Sequence, residues 1–502
     1  MYRKNRRFTG PVAAFARLRR LGCGITFGAT IAMIGMPAYA GPWAEVGNEQ
    51  LRSNIGLLSA AGVVDSVVTQ WPLPWGIGLS APKLPSGSYD YIGVAASNVI
   101  QSRDLETATG QVRAGLSIDL ATEPALVRGF DALGRQKAQG TISLEYLTDT
   151  TGIHLNVGAR SASGSDRRVL TLEGTYITQR IDEFAVYAGY VDHWWGPGWF
   201  SALGLSNNAT PMPQIGITRL SSAPLEIPIL KWLGPWRAEF LAGVLDGPRV
   251  ARDTAYIATR FTFNPIAHLE IGLSRTTEMC GSGHRCSPSD YFALSNDSVG
   301  TNQTNDEVVF DVRYSRAFSR WSYELYGQAM NEDTGPFLHS GTSHLVGASV
   351  WLPFRAGLGR FTTEYTDSIA TTNLFGGGIF NGVAYNNAGY PDGMRYRGRT
   401  LGFSLDSDSR LFSLEASFSD RSARSISLTY HNARINSAEN LQGNVVSPVP
   451  VTINLVEART RLPIWIGGEA AHLDITGRIQ DKRLPPDSGA LPSVEVALSA
   501  QL

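Results

Sequence analysis

Trp321-Ser322-Tyr323-Glu324-Leu325-Tyr326-Gly327-Gln328 alternates in character: Trp321, Tyr323, Leu325 and Gly327 fall on one face of an extended chain, and Glu324, Tyr326 and Gln328 on the other. Successive strand residues point to opposite sides of a sheet, so this segment reads as a strand with one apolar and one polar surface. Working outward, segments of similar period lie upstream at 141–147, 154–161, 169–176, 184–191, 237–245, 256–263, 268–275 and 308–314. Downstream they lie at 345–352, 359–365, 400–405, 411–418, 425–430, 452–461, 471–478 and 494–502. With one or two more between Ser201 and Arg219 the count is about 18, each near the roughly 9–11 residues of a tilted transmembrane strand.

A soluble sandwich alternates too. The membrane reading rests on a conjunction of strand length, number of strands in one unit, aromatic residues near strand ends, and an export leader. Arg3, Lys4, Arg6, Arg7, Arg17, Arg19 and Arg20 precede an apolar run at 21–36 and the small-residue site Ala38-Tyr39-Ala40, which predicts a secretory signal peptide over 1–40. Leu21-Gly22-Cys23 resembles a lipoprotein box, but Cys23 precedes most of the apolar run, so cleavage without lipidation is the expectation. No later stretch reaches the roughly 18 apolar residues of a spanning helix.

Removing the leader's seven basic groups leaves 36 basic against 44 acidic side chains, a formal charge of −8, which disfavours nucleic acid as a partner. Only four of the 36 are lysines (Lys83, Lys137, Lys231, Lys482). Base composition of the genome is the plainer account of that bias; the other is that arginine forks suit carboxylate and sugar groups inside a lumen. Cys280-Gly-Ser-Gly-His284-Arg-Cys286 reads as a local disulfide in an exported chain, because a metal site built on Cys280, His284 and Cys286 lacks a fourth ligand.

Residues 41–136 have a different texture. Asn48 is placed to cap a helix carrying Leu51, Ile55, Leu58 and Val63, with Gly62 as its stop. Trp71-Pro72-Leu73-Pro74-Trp75 is rigid, 97–105 and 124–133 suit short helices, and 111–120 suits a strand. The expected organisation is a signal peptide at 1–40, a periplasmic helical plug at 41–136, and an antiparallel transmembrane β-barrel at 137–502. Polar connections at 276–307, 331–344, 366–399 and 432–451 suit extracellular loops.

Asp192-His193-Trp194-Trp195-Gly196-Pro197-Gly198-Trp199 concentrates aromatic surface that must be buried or must hold a ligand. Sugars stack apolar C–H faces on such rings while Asp192, His193, Asn207, Asn208 and Arg219 offer hydrogen bonds; equally, the rings can form a dry joint between wall and plug. The second reading is favoured. Counting strands from Thr141 with both chain ends periplasmic places the stretch at the periplasmic rim, against Trp71 and Trp75. No His-Glu-x-x-His, Gly-x-Ser-x-Gly or phosphate-loop spacing is present, so no catalytic residues, cofactor or metal are expected. His193 with Ser206 offers a weak hydrolase reading, and Glu239, Asp311, Glu324 and Glu364 offer a weak glycosidase one.

Two blocks carry a family resemblance. They are Leu51-Arg52-Ser53-Asn54-Ile55-Gly56-Leu57-Leu58-Ser59-Ala60-Ala61-Gly62-Val63-Val64 with Trp71–Trp75, and Asp192–Trp199 with Leu205-Ser206-Asn207-Asn208-Ala209, Pro211 and Pro213. The sequence resembles the Wzi family of capsule-assembly outer-membrane proteins. The resemblance implies an 18-stranded barrel closed at its periplasmic end by an N-terminal helical subdomain, acting as a lectin that helps attach capsular polysaccharide. The expected partners are capsular polysaccharide or exopolysaccharide, outer-membrane lipid and the barrel-assembly machinery, in the outer membrane of a Gram-negative bacterium. The family brings no residue-level sugar site, so the candidates stand on chemistry. A channel for polysaccharide or small solutes is the alternative function.

Overall fold

The computed structural model describes residues 42–76, 91–131, 133–162, 166–292, 304–318, 321–332, 341–374, 376–438 and 443–501. The leader and its Cys23 motif lie outside them. Among the described residues eighteen staves close into one antiparallel barrel. The first six are β1 (Val112–Ala121), β2 (Ala138–Leu147), β3 (Thr151–Arg160), β4 (Tyr176–Ile181), β5 (Phe184–Gly189) and β6 (Gln214–Arg219). Then come β7 (Trp236–Leu245), β8 (Thr254–Ile266), β9 (Leu269–Met279), β10 (Thr304–Phe318), β11 (Trp321–Glu332) and β12 (Thr342–Phe354). The last six are β13 (Gly357–Asn373), β14 (Arg410–Asp420), β15 (Ser425–Ile435), β16 (Val451–Ile466), β17 (Glu469–Gln480) and β18 (Leu491–Gln501). β18 closes the ring on β1, with Leu498 opposite Ile118.

The alternation has its expected consequence. Ile142, Leu144, Ile153, Leu155, Leu325 and Leu414 are exposed on the outer wall, while Thr141, Glu145, His154, Glu324 and Glu415 between them are buried inside. A closed ladder pairs every neighbour's backbone, and an outward apolar band is what such a barrel presents to lipid. Connections are tight at one end (148–150, 182–183, 267–268, 355–356, 421–424, 467–468), with 220–235 as the exception. They are long at the other (122–137, 190–213, 246–253, 280–303, 374–409, 436–450). By the asymmetry of outer-membrane barrels the tight end is periplasmic. An aromatic girdle lies at that end: Phe318, Trp321 and Tyr323 pack at 4.8–5.6 Å, and Phe354 meets Phe418 at 6.2 Å.

Several expectations need correction. The segment 111–120, assigned to the plug, supplies the first stave, so the barrel begins before residue 137. Residues 400–405 are no stave: Leu401, Phe403 and Leu405 are buried along with Thr400 and Ser404, because that segment lies inside the lumen where both sides are covered. Near 169–176 the stave is displaced to Tyr176–Ile181, with Leu170–Thr171 a short strip beside β3. The first two errors cancel in the count but not in direction. β5 runs toward the long-connection end, so Asp192–Trp199 leaves from that end and folds back inward, not from the periplasmic rim. The described residues of the predicted loops 276–307, 366–399 and 432–451 lie at the long-connection end, residues 333–340 of the fourth fall outside the described residues, and Cys280 is bonded to Cys286.

Inside, α1 (Glu49–Ala60) is capped as its sequence predicts, Asn48 Oδ1 accepting from Leu51 N at 3.1 Å. α2 (Tyr91–Glu106) contains and extends the predicted 97–105 helix. The stretch 124–133 forms no helix among its described residues. Phe130 N donates to Trp199 O at 2.9 Å, and a Cβ on Gly129 would lie 2.7 Å from that same oxygen, so the backbone approaches too closely for a helical side-chain sheath. Arg313 donates to Gly56 O (3.2 Å) and Trp351 Nε1 to Ser53 Oγ (2.9 Å), tying α1 to the wall. From the other end the 381–409 segment buries Tyr385, Tyr390, Met394, Tyr396 and Phe403. A hydrophobic core that joins α1, α2, 190–213 and this segment therefore occupies the bore.

Candidate functional site

The two family blocks meet in the lumen. Trp194 pairs with Trp71 and Trp195 with Gln70 in a two-residue antiparallel ladder. So short a ladder leaves backbone groups that water cannot reach, and each needs a partner from the wall. Glu270 accepts from Val68 N (3.0 Å), Thr69 N (2.9 Å) and Thr69 Oγ1 (2.6 Å). Arg237 donates to Gln70 O at 2.7 Å and to Pro72 O at 3.3 Å. Gln328 donates to Trp195 O (3.1 Å) and accepts from Leu203 N (2.7 Å). Gly196 adopts φ +138°, a conformation that side chains resist, as the segment turns away from the ladder.

Trp199 is held hardest. Its N–H donates to Glu364 (2.6 Å), its Nε1 to Glu324 (2.8 Å), and the guanidinium groups of Arg360 and Arg52 lie 3.6 and 4.3 Å from its ring centre. Trp194, Trp71 and Phe130 pack edge to face around Arg52. Trp71, Trp194, Trp195 and Trp199 are thus all buried in this packed joint.

The residues of the catalytic alternatives take part in the same packing. Glu239 accepts from Gln70 (3.0 Å) and from Tyr187 OH (3.0 Å), Asp311 pairs with Arg260 (2.8 Å), and Glu324 and Glu364 are engaged by Trp199. His193 is buried 3.6 Å from Glu239, its pKa pushed below the usual imidazole value by desolvation. Ser206 Oγ donates to Gly402 O at 2.6 Å, so its proton is directed to a carbonyl and not to the imidazole a nucleophile needs. The cysteines are disulfide-bonded, which removes the thiolates a metal site at His284 would use.

Other candidates disperse. Asn208 donates to Thr400 O at 2.9 Å, and Trp75 Nε1 to Glu106 at 3.0 Å. Arg219 lies on β6 at the tight end, paired with Glu183 at 2.6 Å, away from the joint.

Asp192 and Asn207 do come together, on a cavity of about 220 Å³ between the filling segments and the inner wall of β1–β3 and β16–β18. Arg135 organises this face, donating to Asp192 (2.7 Å), Glu173 (2.9 Å) and Asn207 O (2.8 Å). Desolvation raises the Asp192 pKa to about 6 against the opposing pull of Arg135. Atoms of lining residues without a hydrogen-bond partner include Asn207 Oδ1, Asn156 Oδ1 and Arg128 Nε. Groups so placed call for water or a hydroxyl-bearing ligand. The cavity shares Arg459, Arg461 and Asp474 with a smaller one of about 60 Å³. That in turn shares Gln50, Leu358 and Ser419 with a third of about 280 Å³ at the tight end. Sequence reading missed Arg135, Arg128 and Asn156, because a single polar residue in a connection or stave carries no local signal of what it will face.

Residues 109–476 match the family model of the capsule assembly protein Wzi. The chain belongs to the Wzi family. A relative from Klebsiella pneumoniae, an uncharacterized 55.8 kDa protein in the cps region, is 27% identical over 328 residues, which is 63% of each chain. The match thus spans less than two thirds of that relative's length. The solved structure of Escherichia coli Wzi, described as a carbohydrate-binding β-barrel involved in group 1 capsule assembly, superposes with a TM-score of 0.77 at 21% identity. It covers 91% of this chain and 98% of that one. At this identity the likeness concerns the fold, a closed antiparallel barrel of the kind the sequence anticipates.

Proposed function

We propose that this Wzi-family chain is a non-catalytic outer-membrane protein that binds surface polysaccharide and assists its assembly or attachment, as the E. coli relative's description suggests for that protein. The observation that carries the reading is a family barrel whose bore is occupied from both ends, by α1 and α2 and by 190–213 and 381–409. Such a filled barrel suits holding a ligand better than passing one. Apolar outer walls support lipid as its surroundings.

Within this reading the face made by Asp192, Asn207 and Arg135 serves as a subsite for sugar hydroxyls. The Asp192 carboxylate, part-exposed on the cavity, offers an acceptor for the O–H donors that neutral sugars supply. The test is retention of the purified protein on the host's own surface polysaccharide, with a deletion strain examined for polysaccharide shed from cells. Absence of retention together with a normal cell-attached coat would overturn the proposal. In planar bilayers the intact protein is expected to pass little current; large steady conductance would instead favour a channel.

A further inference from the structure

The connection 220–235 breaks the rule of tight turns at the periplasmic end, and it is apolar where the other turns there are polar or small. Ile227, Ile229, Leu230 and Trp232 are exposed, Ile229 to 82% and Trp232 to 60%. The loop is nonetheless built, not loose. Leu233 N donates to Leu230 O (3.0 Å), Lys231–Leu233 forms a 3₁₀ turn, and Asn264 N donates to Pro235 O (2.8 Å).

Its direction is set by two contacts on the outside of the wall. Trp232 meets Phe263 edge to face at 5.8 Å, and Phe263 packs on Phe261, which packs on Trp236. Arg219 shares the outward register of Ile215 and Ile217 on β6, yet it is buried. It stacks on Trp236 at 3.9 Å and donates to Ala223 O (2.9 Å) and Trp236 O (3.0 Å). An arginine on a lipid-facing register is tolerated when its donors are filled, and here Glu183 (2.6 Å) and the carbonyls at both ends of the loop fill them. Arg219 therefore works as the peg that folds the loop against the outer wall at girdle level.

We infer that 220–235 is an interfacial anchor whose Ile227–Trp232 tip inserts into the headgroup and upper acyl region of phospholipid in the periplasmic-side leaflet. The argument for lipid as occupant is continuity: the tip extends the apolar wall and the Trp236–Phe261–Phe263 girdle, and aromatic-aliphatic tips at that height are interfacial. The inference rests on the membrane-barrel reading, and the test separates the two.

Single cysteines at Ile229, at the mid-wall residue Leu325 and at the exposed turn residue Ser422 are placed in a Cys23→Ser background and labelled with an environment-sensitive fluorophore. The protein is then held in nanodiscs of phosphatidylethanolamine and phosphatidylglycerol, where both faces meet solvent. Quenching by doxyl-labelled lipid and by aqueous iodide is read at each site. The expected result is lipid quenching at 229 and 325, deepest at 325, with iodide quenching several-fold weaker at 229 than at 422. Lipid quenching at 325 but iodide quenching at 229 equal to that at 422 overturns the anchor and leaves the barrel reading standing. Loss of lipid quenching at 325 overturns the barrel reading itself. A photocrosslinker at 229 that captures a periplasmic protein in place of lipid in intact envelopes also overturns the anchor. In Arg219→Ala the 229 label is expected to lose lipid quenching while 325 keeps it.

Discussion

Replacing Glu270 by alanine should loosen the inner joint without opening the barrel. Its carboxylate is the acceptor for two backbone N–H groups and one hydroxyl of Val68 and Thr69, and Thr69 O in turn accepts from Gly196 N at 3.0 Å. Hydrogen bonds to a charged acceptor contribute about 1.5–3 kcal/mol each, so three of them set an upper range of roughly 5–9 kcal/mol. Water can enter the space left by the side chain and recover much of this, which leaves a local cost of about 3 kcal/mol. That corresponds to hydrogen exchange on the order of 100-fold faster for the amides of 66–71 and 194–196. The β8–β9 ladder, whose register is independent of that side chain, should keep its protection. Hydrogen–deuterium exchange with mass spectrometry reads both regions in one experiment. Unchanged exchange at 66–71 would refute the claim that wall carboxylates hold the inner segment, and equal acceleration throughout the barrel would refute the claim that joint and wall are separable.

Three further perturbations probe other parts of the construction. Asn48→Ala removes the cap of α1 and should cost about 1 kcal/mol, seen as roughly fivefold faster exchange in the helix's first turn. Gly129→Ala sets a methyl against Trp199 O and should destabilise by about 1–3 kcal/mol, lowering the temperature at which the inner tryptophan near-ultraviolet signal is lost. The Asp192 carboxyl titrates at about 6, above its ordinary value, so its ionised form is disfavoured by folding and its contribution to stability improves as pH falls through that value. The same fall removes an acceptor and weakens the hold of Arg135, so polysaccharide retention should decline below about pH 6. Asp192→Asn should show the low-pH level of retention at every pH, and a retention profile flat from pH 5 to 7.5 in the unaltered protein would count against Asp192 as a contact.

The arginine bias illustrates what composition can and cannot say. Forks inside a lumen were one of its two readings, and Arg237, Arg260, Arg313 and Arg360 are indeed buried there. What they grip is the protein's own backbone and carboxylates, as with Arg260 on Asp311 and Arg313 on Glu324. A preference for planar donors does not reveal whose acceptors they meet.

Taken alone, the sequence determined the class of wall, the capped first helix, the disulfide and the two blocks that mark the family. Each is a local property: a period of two along a strand, a side chain three residues from an amide, a short loop between cysteines, a run of particular residues. The tertiary structure decided that Val112–Ala121 is a stave, that 400–405 is not, and that Asp192–Trp199 descends from the long-connection end. These are matters of ring closure and direction, which one misplaced strand reverses, and a lumen segment covered on both sides imitates the alternation of a wall. The tertiary structure likewise chose Asp192 and Asn207 as neighbours on one face of a cavity and set Arg219 far from them, because contacts between residues distant in sequence are made by the closed barrel and carry no local pattern.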